Sequence, residues 1–369
     1  MTAGKEKHRV AVVLSGGGGK GAYQVGALKA LRSAGVDPDI YCGTSVGSFN
    51  CGMLASGKTL EQVEQVWREM NTESVFKLRY DPRRFLTLDP RPALRFAFQS
   101  ARLVGGFLTE ALKGKGSWWE TIDIDSFLTD TSPLGDLIAK HVDLAALRRS
   151  NKEFSLALTQ LKPVEGNPLR IVSKQEITHR HILASCSLPF IFPQVTIGGK
   201  VYCDGGVVMN SPLKPAVDAG ADEIYVIDLT PPPSTYREAT LSLAYQIMSA
   251  QCSSMLRRDI EMAEDLNGRY LVAQLEGSLV DGKVQVRRVD SGPGGGGKPL
   301  AKHYRYLRIF VIHPSTDLEG IGGFLRFEPS SAGKWIEAGE RETKEALKRH
   351  YEQEIAAPDG STIKAVFRR

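Results

Sequence analysis

The residue best placed for covalent chemistry is a serine that lies between two glycines. The segment 43–47 reads GTSVG, with Ser45 at its centre and Gly43 and Gly47 at its ends, and it follows the apolar run 39–42. At a turn from a strand to a helix, the glycines of this pattern allow a sharp bend that exposes the serine hydroxyl. The N-terminus of the following helix also stabilises developing negative charge. We therefore interpret Ser45 as a candidate nucleophile.

A serine hydroxyl needs a base, and an aspartate in a glycine-rich turn is the best candidate. Asp204 is followed by Gly205 and Gly206 at the end of a predicted hairpin strand, and the two glycines leave room for close approach to another loop. The same sequence is also typical of an ordinary Asp-Gly turn. A carboxylate with its reference pKa of about 4 is a poor base at neutral pH, so this role requires burial. The apolar neighbours expected to bury the carboxylate are Leu188, Phe190 and Val207.

The seven histidines are the other candidates for the base. In an α/β-hydrolase, the acid and then the histidine follow the serine along the chain. His303, His313 and His350 are late enough for that order, but none of them lies in a turn-rich motif. His179 and His181 lie in a predicted helix, where lone histidines are more often structural. The sequence favours Asp204 and leaves the late histidines as the alternative.

A run of glycines connects the first predicted strand to the first predicted helix. Residues 16–21 read GGGGKG, and consecutive backbone N–H groups at a helix N-terminus can cradle a phosphate or stabilise an oxyanion. A Walker phosphate loop is excluded because Leu14 replaces its first glycine and Gly21 stands where Ser or Thr is needed. Gly16, Gly18 and Gly21 match the dinucleotide pattern G-x-G-x-x-G. However, the second strand ends in CGTS and lacks the acidic residue that binds ribose.

These motifs lie in a pattern of alternating strands and helices. Short apolar, β-branched runs predict buried strands at 8–16, 39–42, 153–161, 168–174, 223–229 and 306–313. A helix is predicted after the glycine run, ending at Gly35, and a second one after Ser45, ending near Gly57. Gly198 and Gly199 predict a hairpin turn. Strand–helix–strand order at this spacing indicates a parallel sheet with right-handed crossovers.

The later part of the chain gives weaker signals. Ser211 as N-cap, Pro212 as first helical residue and Gly220 after the end predict one more helix, and the PPP run at 231–233 is the clearest linker-like break. Beyond it we predict a helix over about 240–266, strand-like runs at 270–275 and 283–289, and a charged final helix over 331–354.

We divide the chain into a catalytic domain and a C-terminal extension. Because the motifs span residues 16 to 212, the predicted catalytic domain covers 9–220, and the extension 231–369 packs on it. Within the domain, 58–150 is a candidate cap or insert. Its stretch 92–112 combines phenylalanines with arginines, which predicts either a membrane-touching cap over the site or a helix packed on the sheet.

The composition is that of a globular chain without a metal or nucleic-acid signature. Charged residues make up 24% and hydrophobic residues 42% of the 369 residues, and the formal net charge is +5. The five scattered cysteines form no C-x-x-C pair, which argues against a zinc site or disulfide framework and favours a reducing compartment. No basic patch with interleaved aromatics indicates a nucleic-acid partner. Because no apolar run is long enough for a transmembrane segment or a signal peptide, we expect a cytoplasmic protein that visits membranes peripherally.

Taken together, the motifs resemble those of the patatin-like phospholipase family, which includes the calcium-independent phospholipases A2. GGGGKG at 16–21 resembles the family's oxyanion motif, GTSVG at 43–47 its nucleophile elbow, and DGG at 204–206 its aspartate motif. ASCSLPFIFPQV at 184–195 and the N-x-P of residues 210–212 resemble two further blocks. The resemblance covers roughly 9–220, loosely over 58–150, and hardly extends beyond 231.

The resemblance implies a three-layer α/β/α fold with a mostly parallel central sheet, and a catalytic dyad of Ser45 and Asp204. It also implies an oxyanion hole formed by Gly16, Gly17, Gly18 and Gly19. Residues that would support the motifs are Lys20, Gly21, Gly43, Gly47, Gly205 and Gly206. Lys20 is expected either on the helix surface or directed towards a lipid phosphate. Neither a metal nor a cofactor is expected.

We therefore expect a serine acyl hydrolase that cleaves fatty acyl esters of lipids through an acyl-enzyme, at a membrane or lipid surface. The alternative is a nucleotide- or dinucleotide-binding protein that uses the glycine run, which leaves GTSVG, ASCSLPF and DGG as coincidences. A catalytically silent lipid-binding member of the same fold is a further alternative, and the intact Ser45 and Asp204 argue against it.

Overall fold

The computed structural model describes residues 8–78, 129–163, 166–189, 191–230, 240–275, 279–280, 283–284 and 307–354. The stretch 92–112, Phe190, the PPP run 231–233 and His303 lie outside the described residues.

A central sheet of eight strands forms the framework of the fold. In chain order the strands are β1 (Val10–Leu14), β2 (Ile40–Gly43), β3 (Lys77–Leu78), β4 (Thr129–Asp130), β5 (Glu153–Leu161), β6 (Leu169–Ser173), β7 (Val195–Ile197), β8 (Lys200–Asp204), β9 (Glu223–Ile227), β10 (Leu279–Val280), β11 (Lys283–Val284) and β12 (Arg308–Ile312). The sheet order is β12-β9-β1-β2-β5-β8-β7, with β6 paired to β5. The pairings among β12, β9, β1, β2 and β5 are parallel, and those of β6, β7 and β8 are antiparallel. The mostly parallel sheet expected from the sequence is confirmed.

Helices surround this sheet. They are α1 (Gly21–Ser33), α2 (Val46–Ala55), α3 (Leu60–Glu69), α4 (Thr72–Val75), α5 (Ser132–His141), α6 (Leu144–Arg149), α7 (His179–Ser185), α8 (Leu213–Asp218), α9 (Thr240–Leu275), α10 (Gly320–Leu325) and α11 (Pro329–Glu354). Two short 3-10 turns, Gly18–Lys20 and Gly205–Val207, follow β1 and β8.

Two hydrophobic cores, one on each face of the sheet, make the fold three-layered. In β1, Val12 and Leu14 belong to one core, whereas Ala11 and Val13 belong to the other. This alternation follows from the two-residue period of a strand. Helices α1, α2, α3 and α11 cover the first face, while α8 and α9 cover the second. The α/β/α arrangement expected from the sequence is thus confirmed.

The main strands begin and end within two residues of their predicted limits, and two later elements depart from the prediction. The apolar run 270–275 continues α9 as a helix, because periodicity alone does not separate a short buried strand from a helical segment. Helix α8 has Pro212 as its N-cap. Ser211 does not cap it, since its hydroxyl donates a hydrogen bond to Asp228 at 3.4 Å. Of the predicted run 283–289, the structure describes β11 alone.

The C-terminal segments extend the sheet and its helical layer beyond residue 220. β12 pairs with β9 from Arg308 opposite Glu223 to Ile312 opposite Ile227. On the first face, α11 lies directly against α1. A Cβ atom on Gly26 would collide with the backbone of α11, so glycine is required for this close approach.

Candidate active site

Ser45 occupies a strained turn between the end of β2 and the start of α2. Its φ and ψ angles are 54° and −131°, a region that a residue with a side chain rarely adopts. A Cβ atom on Gly47 would collide with the Leu14 carbonyl oxygen, and one on Gly43 would crowd the Gly47 backbone. The two glycines of GTSVG therefore allow the bend that presents the serine hydroxyl.

Strands β2 and β8 meet end to end along one edge of β5. β2 pairs with residues 153–156 of β5, and Gly43 lies opposite Leu156. β8 pairs with residues 158–161, and Asp204 lies opposite Leu158. Both strands lie on the edge that β6 does not occupy, since β6 pairs with residues 155–159 from the other side of β5. Two strand residues span about 7 Å, so this arrangement brings the ends of two distant segments together.

The Ser45 hydroxyl lies close enough to the Asp204 carboxylate to favour its ionised form. Asp204 is only 2% exposed, and its Oδ1 also accepts the Gly206 N–H at 2.7 Å. Burial raises the pKa of Asp204 to about 7, although the bond from Gly206 and the Ser45 hydroxyl act in the opposite direction. A carboxyl group with a pKa near neutrality can both accept and return a proton.

The backbone and side chains around Asp204 fix its position. The Asp204 N–H donates to the Ser187 carbonyl oxygen at 2.9 Å, and the Thr159 hydroxyl donates to the Asp204 carbonyl oxygen at 2.8 Å. The apolar neighbours expected from the sequence contribute less. Val207 is 40% exposed, because the 3-10 turn after Asp204 leaves it at the surface, and Leu188 lines the adjoining cavity.

A buried serine that was not singled out from the sequence supports the elbow. The Ser45 N–H donates to Ser185 Oγ at 2.9 Å, and the Ser185 hydroxyl donates to the Ala157 carbonyl oxygen at 2.9 Å. Ala157 lies in β5 between the residues that face the ends of β2 and β8. Ser185 lies in the block ASCSLPF, whose resemblance to a block of the family is the sequence feature that could have pointed to it.

The glycine run begins beside Ser45. A Cβ atom on Gly16 would lie 3.0 Å from the Ser45 Cβ atom and 2.6 Å from Asn210 Oδ1. The Gly16 N–H donates to the Asn210 carbonyl oxygen at 3.2 Å, so this N–H is already engaged. For the N–H groups of Gly17 and Gly18, no acceptor is found among the described residues. Gly18, with φ of 58°, lines the same cavity as Ser45.

Lys20 is buried, which corrects both expectations for its side chain. It is 1% exposed, and its ammonium group donates to the Tyr245 hydroxyl and, at 3.1 Å, to Asp317 Oδ1. It therefore neither lies on the helix surface nor reaches a lipid phosphate. Both partners come from beyond residue 231, a part of the chain that carries none of the motifs.

A second buried acid lies after β9, next to the glycine run. Asp228 Oδ1 accepts hydrogen bonds from the Thr230 hydroxyl at 2.9 Å and from the Ser211 hydroxyl at 3.4 Å. Burial raises the pKa of Asp228. The adjacent Leu229 N–H donates to Ser15 Oγ at 2.8 Å, so this segment holds the end of β1 and the start of the glycine run.

An apolar pocket, part of it continuous with solvent, opens onto Ser45. The apolar lining includes Phe49, Met70, Leu134, Phe192, Phe324 and Phe327. The Ser45 side chain therefore borders a largely apolar surface.

Three of the histidines considered from the sequence have partners outside the proposed dyad. His179 Nε2 lies 2.8 Å from the Val142 carbonyl oxygen, and His181 forms the capping box at the start of α7 with Thr178. His313 Nδ1 lies 3.1 Å from the Pro314 carbonyl oxygen. Asp204 is thus the group that contacts the Ser45 hydroxyl.

Neither a cluster of metal ligands nor a membrane-spanning helix is found in the part of the chain that the structure describes. In that part of the chain, no three His, Cys, Asp or Glu side chains converge as a metal site. Nor does any helix there have the length and apolar character needed to cross a bilayer.

The sequence matches the family model described as patatin-like phospholipase over residues 12–217. It is 25% identical to lysophospholipase NTE1 of Debaryomyces hansenii over 225 residues, which cover 60% of this chain and 12% of that protein. It is 43% identical to human patatin-like phospholipase domain-containing protein 6 over 60 residues, or 16% of this chain and 4% of that protein. The chain therefore spans only a small part of the length of these relatives.

Two solved structures resemble the chain at low identity. VipD from Legionella pneumophila aligns with a TM-score of 0.39 and 16% identity, covering 93% of this chain and 67% of VipD. The type III effector protein ExoU aligns with a TM-score of 0.35 and 13% identity, covering 93% of this chain and 53% of ExoU.

Proposed function

Since the chain belongs to the patatin-like phospholipase family, we propose that it hydrolyses fatty acyl esters of lipids with Ser45 and Asp204 as its catalytic dyad. The observation that carries the proposal is the proximity of the Ser45 hydroxyl to a buried carboxylate beside an apolar pocket. Nucleophile, base and acyl site are the three parts that ester hydrolysis requires.

In the first half-reaction, Ser45 Oγ attacks the ester carbonyl carbon and its proton passes to Asp204. The tetrahedral intermediate collapses when the carbon–oxygen bond to the alcohol breaks, and Asp204 returns the proton to the leaving alkoxide. In the second half-reaction, water attacks the acyl-enzyme and gives its proton to Asp204. The serine then leaves with that proton, and the free fatty acid is released.

The oxyanion of both intermediates needs donors that are fixed in advance. We assign this role to backbone N–H groups of Gly17, Gly18 and Gly19, of which Gly18 lines the cavity with Ser45. Gly16 makes room for the serine, since its own N–H is bonded to Asn210. A donor of this kind contributes about 2.7–4 kcal/mol to transition-state stabilisation.

The apolar cavity is assigned to the acyl chain, and the polar alcohol portion of the lipid remains towards solvent. Such a substrate resides in a membrane or lipid aggregate, so the enzyme works at that surface. The net charge of +5 favours approach to an anionic surface.

Packing of the glycine run weighs against nucleotide binding. Cβ atoms on Gly18 and Gly19 would collide with the carbonyl oxygens of Phe324 and Arg326. A pyrophosphate needs open space beside such glycines, as in dinucleotide-binding turns. Here the C-terminal segment fills that space.

Substitution of the dyad tests the proposal. We expect Ser45→Ala and Asp204→Asn each to lower kcat for a phospholipid and for a soluble ester by at least about a thousandfold. Labelling by a fluorophosphonate probe should be lost in Ser45→Ala. Ser56→Ala, in which a hydroxyl at the end of α2 is removed, is the matched control and should keep wild-type activity. Ester hydrolysis that survives in Ser45→Ala would refute the dyad.

A further inference from the structure

Lys20 is unusual because a charged side chain is almost fully buried next to the glycine run. It is 1% exposed and is the one lysine in the buried group among residues whose burial is described. Burial of an ammonium group is costly unless it is paired and hydrogen-bonded. Burial lowers the pKa of Lys20, and the neighbouring Asp317 carboxylate opposes that effect.

Both partners of Lys20 belong to the C-terminal part of the chain. Asp317 Oδ1 accepts the lysine ammonium at 3.1 Å and also accepts the Gly320 N–H at 3.0 Å, at the start of α10. Tyr245, from α9, accepts a second hydrogen bond, and its ring centroid lies 4.9 Å from Lys20 Nζ. The Tyr245 ring in turn packs edge-on against Phe324 in α10, with 6.3 Å between centroids. The lysine thus connects the glycine run to α9 and α10 at once.

The C-terminal segment that Lys20 contacts also packs against the backbone of the glycine run. Lys20 ends the 3-10 turn Gly18–Lys20, and its N–H donates to the Gly17 carbonyl oxygen at 3.3 Å. Gly18 and Gly19 lie directly against backbone carbonyls of Phe324 and Arg326, with no room for a Cβ atom. A glycine backbone has no side chain to fix it, so external contacts must set its conformation.

We propose that Lys20 is a positioning residue that, through Asp317 and Tyr245, holds the glycine run in the geometry required of an oxyanion hole. The inference rests on the proposed function and assigns the C-terminal segment a role within that same site. Donors act at about 2.7–3.1 Å from the developing oxyanion, so a small displacement of the run weakens them. Neither Ser45 nor Asp204 is a hydrogen-bond partner of Lys20, whose ammonium group contacts Tyr245 and Asp317.

The test compares Lys20→Met with Lys29→Met in the full chain, with p-nitrophenyl butyrate as the soluble ester. Lys29 is a matched control, because it too pairs with the C-terminal part of the chain, through Glu340 of α11 at 3.5 Å, but eight residues beyond the glycine run. We expect Lys20→Met to lower kcat by about tenfold to a hundredfold per folded protein, with KM within about twofold. Lys29→Met should keep kcat. The midpoint of the acidic limb of the pH–rate profile should stay at its wild-type value in Lys20→Met, because Asp204 is untouched.

The variant Asp317→Asn tests the same proposal if Lys20→Met does not fold. It keeps the shape of the side chain but removes the counter-charge, and it should lower kcat in the same direction. In the double variant Lys20→Met/Asp317→Asn, the loss should not exceed that of the more impaired single variant, because both changes break one contact. Wild-type kcat in a folded Lys20→Met or Asp317→Asn variant would overturn the inference. The inference would also be overturned if the decrease in kcat disappears once activity is divided by the folded fraction, measured by near-UV circular dichroism.

The two proposals fail in different ways. If wild type does not hydrolyse the ester, or Ser45→Ala still does, the proposed function fails. If wild type is active, Ser45→Ala is inactive and Lys20→Met equals wild type, only the positioning role fails.

Discussion

At the scale of single residues, the burial of Asp204 determines how activity depends on pH. Asp204 accepts the serine proton only when ionised, and burial raises its pKa to about 7. We therefore expect kcat for a soluble ester to fall about tenfold per pH unit below that pKa, because the base becomes protonated. A pH–rate profile corrected for the Ser45→Ala background measures this. A midpoint near 4, the ordinary value for an aspartate, would contradict the assignment.

The raised pKa of Asp204 also leads to a prediction about the stability of the fold. Its folded pKa lies above the unfolded value of 3.8, so the folded state retains a proton that the unfolded state releases. Stability from this group is present at low pH and is lost as pH rises towards about 7. Asp204→Asn cannot ionise and still accepts the Gly206 N–H. It should raise the free energy of unfolding by up to about 4 kcal/mol at pH 8 and by less at pH 5.

Urea unfolding of wild type and Asp204→Asn at the two pH values checks this prediction. An equal increase in the free energy of unfolding at both pH values would show that folding does not disfavour ionisation of the Asp204 carboxyl group. The variant separates function from stability, since it is expected to be both inactive and more stable.

Local signals at the residue scale predicted the proposed dyad, whereas contacts between distant segments could not be predicted. Ser45 and Asp204 each lie in a glycine-bounded turn, so residue types within five positions indicate the chemistry. The expected positions of the Lys20 side chain were wrong because its partners Tyr245 and Asp317 lie 225 and 297 residues further along the chain. The residues on either side of Lys20 in the sequence do not predict those contacts.

At the scale of elements, the close approach of α1 and α11 depends on two glycines. Cβ atoms on Gly26 and Gly339 would collide with the carbonyl oxygens of Ile336 and Tyr23 in the facing helix. We expect Gly26→Ala to force the helices apart and lower the free energy of unfolding by about 1–3 kcal/mol or more, as overpacking does. Thermal unfolding followed by circular dichroism measures the change.

Gly52→Ala is the matched control for helix propensity. Gly52 lies in α2, and a Cβ atom there would sit 3.4 Å from its nearest neighbour, which is ordinary contact. Because alanine favours a helix over glycine by about 1 kcal/mol, this variant should be neutral or stabilised. If Gly26→Ala behaves as Gly52→Ala does, the two helices are not packed through their backbones.

Strands were the most predictable elements, whereas their arrangement was not. Runs such as EFSLALTQL at 153–161 read as strands because both faces are buried, and β5 has those limits. The end-to-end meeting of β2 and β8 on one edge of β5 could not be read from either strand. It depends on the length of β5, which offers one edge to two partners, and this arrangement places Asp204 beside Ser45.

At the scale of the whole molecule, the C-terminal third takes part in the sheet, in the first hydrophobic core and in the glycine-run contacts. β12 covers the edge of β9, Trp335 and Ile336 of α11 join the core, and Asp317 pairs with Lys20. An unpaired β9 would expose a strand edge, and an uncovered α1 would expose apolar surface. The motif-bearing segment therefore depends on residues that carry no recognised motif.

A chain that ends after residue 230 tests this dependence. We expect it to lack cooperative thermal unfolding and fluorophosphonate labelling, although Ser45 and Asp204 are both present. A chain that ends after residue 354 keeps every described contact and serves as the control, which should label at the wild-type rate. Labelling of the shorter chain at the wild-type rate, together with a cooperative transition, would show that residues 9–220 fold as an independent catalytic domain. Loss of both in the shorter chain alone would mean that the C-terminal segment is needed to build the site.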